Sequence, residues 1–521
     1  MNPGEVKQSQ EGAANLYTTA HVSHFQVDTL ERDAFEVLRL VRSIKNSLAP
    51  INRLPFEVLS SIPDYCGEVE ADGVSIALTH VCHSWRESLI SCPSLWTRFD
   101  FMDIDKTRTY IQRSRSSPIK IHFTTDADLM DTFPLIIPHI PRLKSLTVDW
   151  NAFPNGLEEH FHCHTPLLEK LSISPYLNLD GALFNGDLSS LRQLCLYRAR
   201  TDFPWKSLPN LQVVRFSSST TYQINKLLDF LESAPLLHTV SLEVPMSDSP
   251  NAPPERIVTL RHLKFISIYH FKRPQPTFLR HLHIPLGASL VSQFPFDGDG
   301  SPLLDYFQDR SPNLCILSDI TSINVLLIPD KDQTSLQLNG PSGNLSLTIN
   351  WRNGPSWYKA KTLTFRFLDP LLSTTTRLAV SGYERRVPKP TAECPVFQTL
   401  ASTSGLRTLV LNDCGGIDVF ARALDPQQNP SNLVFCRDME ELIIYTFYWA
   451  PLGLDSLVEM AKNRALRGVK LSSITFVDRS GEGKRGMLYK LREHVTHVKY
   501  LVTYETHAWD HVPDESAGER K

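Results

Sequence analysis

From Leu30 the chain reads "LERDAFEVLRLVRSIKNSLAP", with Phe35, Leu38, Leu40, Val41, Ile44 and Leu48 at helical spacing among charged residues. This pattern predicts one amphipathic helix over residues 29–50, ending before Pro50. Residues 1–28 are polar and without a period, which reads as a loose tail. Three short helices are expected between residues 51 and 100. The first runs from Pro55 to Ile62, with Pro55 at a favoured first-turn position and Glu57 near the positive end of the helix dipole. The second spans Val74 to Ser91, where Ile76, Ala77, Val81, Trp85 and Leu89 fall mostly four residues apart. Pro93 breaks it, and "SLWTRFDF" makes a last turn that leads into a strand.

Beyond Pro118 the period changes. The segments "PRLKSLTV", "PLLEKLSI", "SSLRQLCL", "PNLQVVRF", "PLLHTVSL" and "RHLKFISI" share the form L-x-x-L-x-L with conservative swaps. Their leading residues are Leu143, Leu168, Leu191, Leu211, Leu237 and Leu263, so successive gaps are 25, 23, 20, 26 and 26. Gaps of about 20 to 29 residues are those of leucine-rich repeats. One strand, a turn and a returning helix or coil need that length to complete one coil, and a single coil cannot bury its own apolar face. The clearest returning helix is "YQINKLLDFLESAP", with Ile224, Leu227, Leu228 and Leu231 in one stripe.

After Pro276 the register blurs, and "HLHIPLGASLVSQFPFDGDGSPLLDYF" reads as irregular coil. Strands are expected again at "SINVLLI", "SLQLNG", "NLSLTINW", "KTLTFRF", "LRTLVLNDC", "MEELIIYTF" and "VKLSSITFV". The segment 369–395, rich in Thr, Pro and Arg, predicts a loop interrupting the array, and residues 506–521 a frayed tail. The repeat domain is thus expected to span residues 101–505.

Composition narrows the function. At 521 residues the chain exceeds one compact core. Its 53 Lys+Arg against 56 Asp+Glu leave a formal charge of -3, so no overall basic field draws in nucleic acid. No stretch approaches the roughly 18 unbroken apolar residues of a membrane span, and the first residues lack the pattern of a signal peptide. The 9 cysteines are scattered and form no C-x-x-C pair. That is the usage of reduced thiols, and the expected compartment is the cytoplasm or nucleus.

The stretches "INRLPFEVLSSIPDYC" and "ALTHVCHSWRESLISCPSLW" together resemble an F-box, most closely the variant that fungal F-box proteins place ahead of leucine-rich repeats. The matching positions are Leu54, Pro55, Glu57, Val58, Leu59 and Ile62, then Val81, Cys82, Trp85 and Arg86, then Pro93, Leu95 and Trp96. The chain departs from the family at Pro63, where Phe is usual. The resemblance implies an α/β architecture: an N-terminal helical F-box of three short helices, then an irregular leucine-rich-repeat solenoid with a parallel sheet. It further implies that these residues partly build the module and partly dock on a Skp-type adaptor, which links to cullin and RING subunits of a ubiquitin ligase. The chain would then be a non-catalytic subunit that holds a substrate protein near a conjugating enzyme.

The substrate surface is expected on the concave side of the repeats, at outward-facing strand positions. These include Asp149, Lys170, Gln193, Tyr197, Arg215, Glu243, Phe265 and Tyr269, with Ser172 and Ser267 between them. No catalytic site, metal or cofactor is expected. "EEHFHCH" (158–164) holds metal-ligand residue types but lacks a distant second pair, "FDGDGS" fails the calcium-loop pattern, and "GEGKRG" lacks the ending of a phosphate loop. The alternatives are a repeat scaffold whose helices serve only as a cap, acting outside any ligase, and a hydrolase hidden between Asp297 and Pro395.

Overall fold

The computed structural model describes residues 27–62, 76–100, 104–123, 132, 134–149, 163–174, 178–179, 184, 188–198, 200–201, 208–247, 256–269, 276–295, 319–328, 333–350, 371–382, 395–412, 414, 417–428, 434–446, 454–478 and 488–502. The chain is mixed α/β, with helices at the N-terminus and a large, mostly parallel sheet. It divides into two compact units, Met1–Trp150 and Asn151–Lys521.

In the first unit, residues 27–48 form helix α1. Helix α2 (Phe56–Ser61) follows a 3-10 turn at Pro50–Arg53, and helix α3 (His83–Ile90) is followed by a second 3-10 turn at Pro93–Trp96. Strand β1 (Arg98–Asp100), helix α4 (Ile104–Ser114), and strands β2 (Ile119–Phe123) and β3 (Leu143–Val148) complete it. β2 lies parallel between β1 and β3. These strands belong to the same compact unit as the helices, and β1 joins the last turn of the helical segment directly to the ladder.

In the second unit, β4 (Lys170–Ile173), β5 (Gln193–Tyr197), β6 (Val213–Ser217), β7 (Thr239–Glu243), β8 (Phe265–Tyr269) and β9 (Ser289–Pro295) lie side by side in chain order, all parallel. Thr239 pairs with both Val213 and Phe265, the same step that separates Leu211, Leu237 and Leu263. Each of those leucines closes a tight turn, donating its N–H to Leu208, Ala234 and Leu260 respectively. All six leading leucines are buried. Equivalent side chains therefore fill equivalent slots, which is why the spacing is visible in the sequence. Helix α5 (Ile224–Ser233) runs between β6 and β7 and buries Ile224, Leu227, Leu228, Phe230 and Leu231.

Strands β10 (Ser322–Ile328), β11 (Gln333–Gly340) and β12 (Gly343–Asn350) form an up-and-down meander. Its last strand pairs parallel with β9 and its first with β13 (Arg377–Ser381), so β11 is the antiparallel member. The parallel ladder then continues through β14 (Thr408–Asn412), β15 (Glu441–Thr446), β16 (Ser473–Asp478) and β17 (His497–Val502). Helices α6 (Pro395–Ser402), α7 (Ile417–Leu424) and α8 (Leu454–Leu466) fill the connections, with α7 packed on both its neighbours.

Three expectations change. The segment 369–395 is not wholly a loop, because β13 occupies its middle and is hydrogen-bonded on both sides. The irregular stretch after 276 contains β9, whose alternation is disguised by Ser292, a serine with no exposed surface. The helix expected from Val74 to Ser91 is broken: residues 76–79 are helical, and α3 restarts at His83. At the break Cys82 is extended, and the side-chain Nε of Arg86 donates to the Thr79 carbonyl at 2.9 Å. The freed carbonyl thus finds a partner. "KTLTFRF" lies outside the described residues.

Candidate functional site

The first unit builds its surface around α2. Pro55 stands at the N-cap with extended backbone, where its missing N–H costs nothing. Its carbonyl accepts from Val58 and Leu59 at 3.1 and 3.2 Å. The helix ends at Ser61 with Ile62 as C-cap, still helical in backbone and donating its N–H to the Leu59 carbonyl.

So short a helix can bury only one stripe. Leu59 is buried and Ile62 half-buried, while Leu54, Phe56 and Val58 are 37, 40 and 44 % exposed. Leu54 precedes the helix with extended backbone, and Phe56 and Val58 lie in its first turn. Ile51 just before and Val81 at the end of the broken helix are also exposed. Pro55, Glu57 and Arg86 are exposed, and Cys82 and Pro93 are half-buried. The exposed residues of these elements thus combine apolar side chains with charges of both signs, the composition of an interface.

The remaining predicted adaptor-binding residues face inward. Trp85, Leu95 and Trp96 are buried with Leu59, Leu89 and Phe99. The Trp85 indole N–H donates to Asn52 Oδ1, and Asn52 Nδ2 donates to the Asn46 carbonyl at 2.5 Å. One amide thereby ties α3 and the 3-10 turn to the end of α1. The Trp96 indole N–H donates to the Leu89 carbonyl at 3.0 Å, and its ring meets Tyr110 edge-on at 5.1 Å. The Arg113 guanidinium lies 4.4 Å from the Trp96 ring centre. Leu59, Trp85, Leu95 and Trp96 are thus the members of the set that build the module's core. The buried tryptophans supply the apolar area that so short a segment needs to hold its shape.

Ile51 and Phe56 extend the exposed patch and were not among the predicted contacts. Helical phase gives no signal for Phe56: it stands three residues from Leu59, on the same side of α2, and is exposed because it opens the helix.

The sheet of the second unit offers another surface, with Lys170, Gln193, Tyr197, Arg215, Glu243, Phe265 and Tyr269 partly exposed on alternate strand positions. In the first unit Asp149 is exposed, with His122 Nε2 3.1 Å from its Oδ2. Registry places Lys170 beside Gln193, and Glu243 between Ser217 and Tyr269. Ser172 and Ser267 are instead buried, a correction to their expected exposure. Ser267 lies two residues from each of Phe265 and Tyr269 on the same face, and both tower over it. On β13, β14 and β16 the same face is buried, at Ala379, Ser381, Val410, Asn412, Thr475 and Val477, so these strands are covered on both sides; Ile443 and Tyr445 of β15 between them stay partly exposed, and β17 is largely exposed.

Buried charge in the second unit is structural. Arg464 on α8 is fully buried and donates to the carbonyls of Phe435 and Cys436, both at 2.9 Å. Burial lowers its pKa and pushes the Cys436 thiol up to about 12. In the first unit, burial and then the Arg142 charge lower the pKa of His139.

Among the described residues no group of three or more His, Cys, Asp or Glu is placed to hold a metal ion. Of the "EEHFHCH" cluster only Cys163 and His164 are described, and both "FDGDGS" (296–301) and "GEGKRG" (481–486) lie outside the described residues. No helix among them is long and apolar enough to cross a membrane. No protein-family model matches the chain, and no curated protein matches it.

Proposed function

We propose that the protein is the substrate-recognition adaptor of a Skp/cullin/F-box ubiquitin ligase. Its first unit docks a Skp-type adaptor, and its sheet presents a substrate protein. The observation that carries this reading is the division of labour among the residues that resemble an F-box. Trp85, Leu95 and Trp96 are spent on a core, while Leu54, Pro55 and Val58 remain at the surface, as do Ile51, Phe56 and Val81. A small module that keeps large apolar groups exposed on short helices has the make-up of a docking surface.

On this reading the repeats form an irregular leucine-rich-repeat solenoid. The substrate surface is restricted to its N-terminal strands, where Tyr197, Arg215, Glu243, Phe265 and Tyr269 combine aromatic anchors with both charge signs. The chain then needs no nucleophile, because transfer follows from the proximity of substrate and charged conjugating enzyme.

Reconstitution tests the reading. The full chain with a Skp-type adaptor, cullin and RING subunit is expected to form one complex by gel filtration. A chain that binds the adaptor but recruits no cullin points to the scaffold reading.

A further inference from the structure

Helix α1 carries a second apolar surface, independent of the adaptor reading. Val27, Leu30, Ala34, Val37, Val41, Ile44 and Leu48 recur at alternating steps of three and four residues. Every one is exposed, from 50 % for Val27 to 67 % for Leu30 among the large ones. A strict 3.5-residue stripe is the narrow seam along which one helix packs on another, whereas a helix lying on a globular core shows a wider face.

Charge along α1 is segregated. Its first half carries Asp28, Glu31, Asp33 and Glu36 against Arg32, and its second half carries Arg39, Arg42 and Lys45 with no acid. The helix dipole favours this order within one helix, and it also selects the partner. Flanking the seam at mid-helix are Leu38 and Leu40, exposed by 45 and 55 %.

We propose that α1 pairs with α1 of a second copy of this chain as an antiparallel coiled coil centred on Arg39. Val37 then meets the partner's Val41, Ala34 the partner's Ile44, and Leu30 the partner's Leu48. Leu38 and Leu40 meet their own counterparts across the two-fold axis, where an antiparallel pair brings like positions together. Glu31 flanks the partner's Lys45, and each acidic half lies along a basic half. A parallel pair would set like charges side by side and leave Glu31 roughly 20 Å along the axis from the partner's Lys45, by helical rise.

Sedimentation velocity on the full chain, over a concentration series reaching the high-micromolar range, tests this. The expected result is a reversible dimer that the double variant Val41→Glu/Ile44→Glu converts to monomer with the thermal unfolding curve unchanged, since both side chains are exposed. Glu31→Lys and Lys45→Glu are each expected to raise the dimer Kd several-fold, and the two reversals combined to restore it. A chain monomeric throughout, with α1 protected from hydrogen exchange or not, overturns the proposal. So does a dimer indifferent to Val41→Glu/Ile44→Glu. A dimer that the double reversal fails to restore overturns the antiparallel pairing.

Discussion

Asn52 and Trp85 lie 33 positions apart in sequence and share one hydrogen bond, from the indole N–H to the amide oxygen. The bond sits at the base of the exposed α2 surface, because Asn52 belongs to the turn leading into Leu54 and also donates to Asn46 at the end of α1. The turn that carries Ile51 is therefore tied to α3 and to the end of α1 by polar contacts.

Trp85→Ala is expected to destabilise the first unit by about 3–5 kcal/mol through the cavity it leaves. Asn52→Ala is expected to cost about 1–3 kcal/mol by stranding the buried indole N–H. Chemical denaturation followed by tryptophan fluorescence reads both. A loss below about 0.5 kcal/mol for Asn52→Ala contradicts the bridging role, being the scatter of an ordinary surface substitution.

Burial penalises the Cys436 thiolate and pushes the thiol from an ordinary 9.0 up to about 12. Its folded pKa is raised, so the stability it lends is fully present below pH 9.0 and is lost as pH rises toward 12. The slope in that window is about 1.4 kcal/mol per pH unit. Iodoacetamide is expected to leave Cys436 unmodified in the native chain at mildly alkaline pH and to label it on denaturation, as peptide mapping would read.

Arg464→Ala removes both donors from the Phe435 and Cys436 carbonyls. It is expected to cost about 2–5 kcal/mol, and Arg464→Lys to recover only part of that, because one ammonium replaces a planar fork. Thermal unfolding of the two variants checks the order.

Buried and partly exposed positions on the sheet predict opposite mutational responses. Val410→Asp buries a charge on β14, where the residue is 2 % exposed, and is expected to unfold the second unit or cost more than about 4 kcal/mol. Arg215→Ala and Glu243→Ala, on partly exposed positions, are expected to stay within about 0.5 kcal/mol while weakening substrate capture. Paired stability and pull-down measurements separate these outcomes.

What was legible in the sequence follows from these contrasts. The leading leucines were visible because each closes the same turn and enters the same slot, so the spacing repeats with the structure. β13 was not, because "RLAVS" is short and its Thr- and Pro-rich surroundings carry loop signals; only its neighbours β10 and β14 make it a strand. The break at His80–Cys82 was hidden since the apolar spacing runs through it unaltered. The division between exposed Val58 and buried Trp85 depends on which neighbours fold over each helix, and periodicity within six or eight residues does not specify that.

The central claim is that the patch around Leu54 docks a Skp-type adaptor. Isothermal titration of that adaptor into the full chain, and into its Leu54→Ala/Pro55→Ala variant, tests it most directly. The account predicts saturable binding by the wild type and a loss of about 1–3 kcal/mol, roughly ten- to a hundredfold in Kd, in a variant that unfolds like the parent. Equal affinity in a folded variant, or no binding by the wild type, contradicts it.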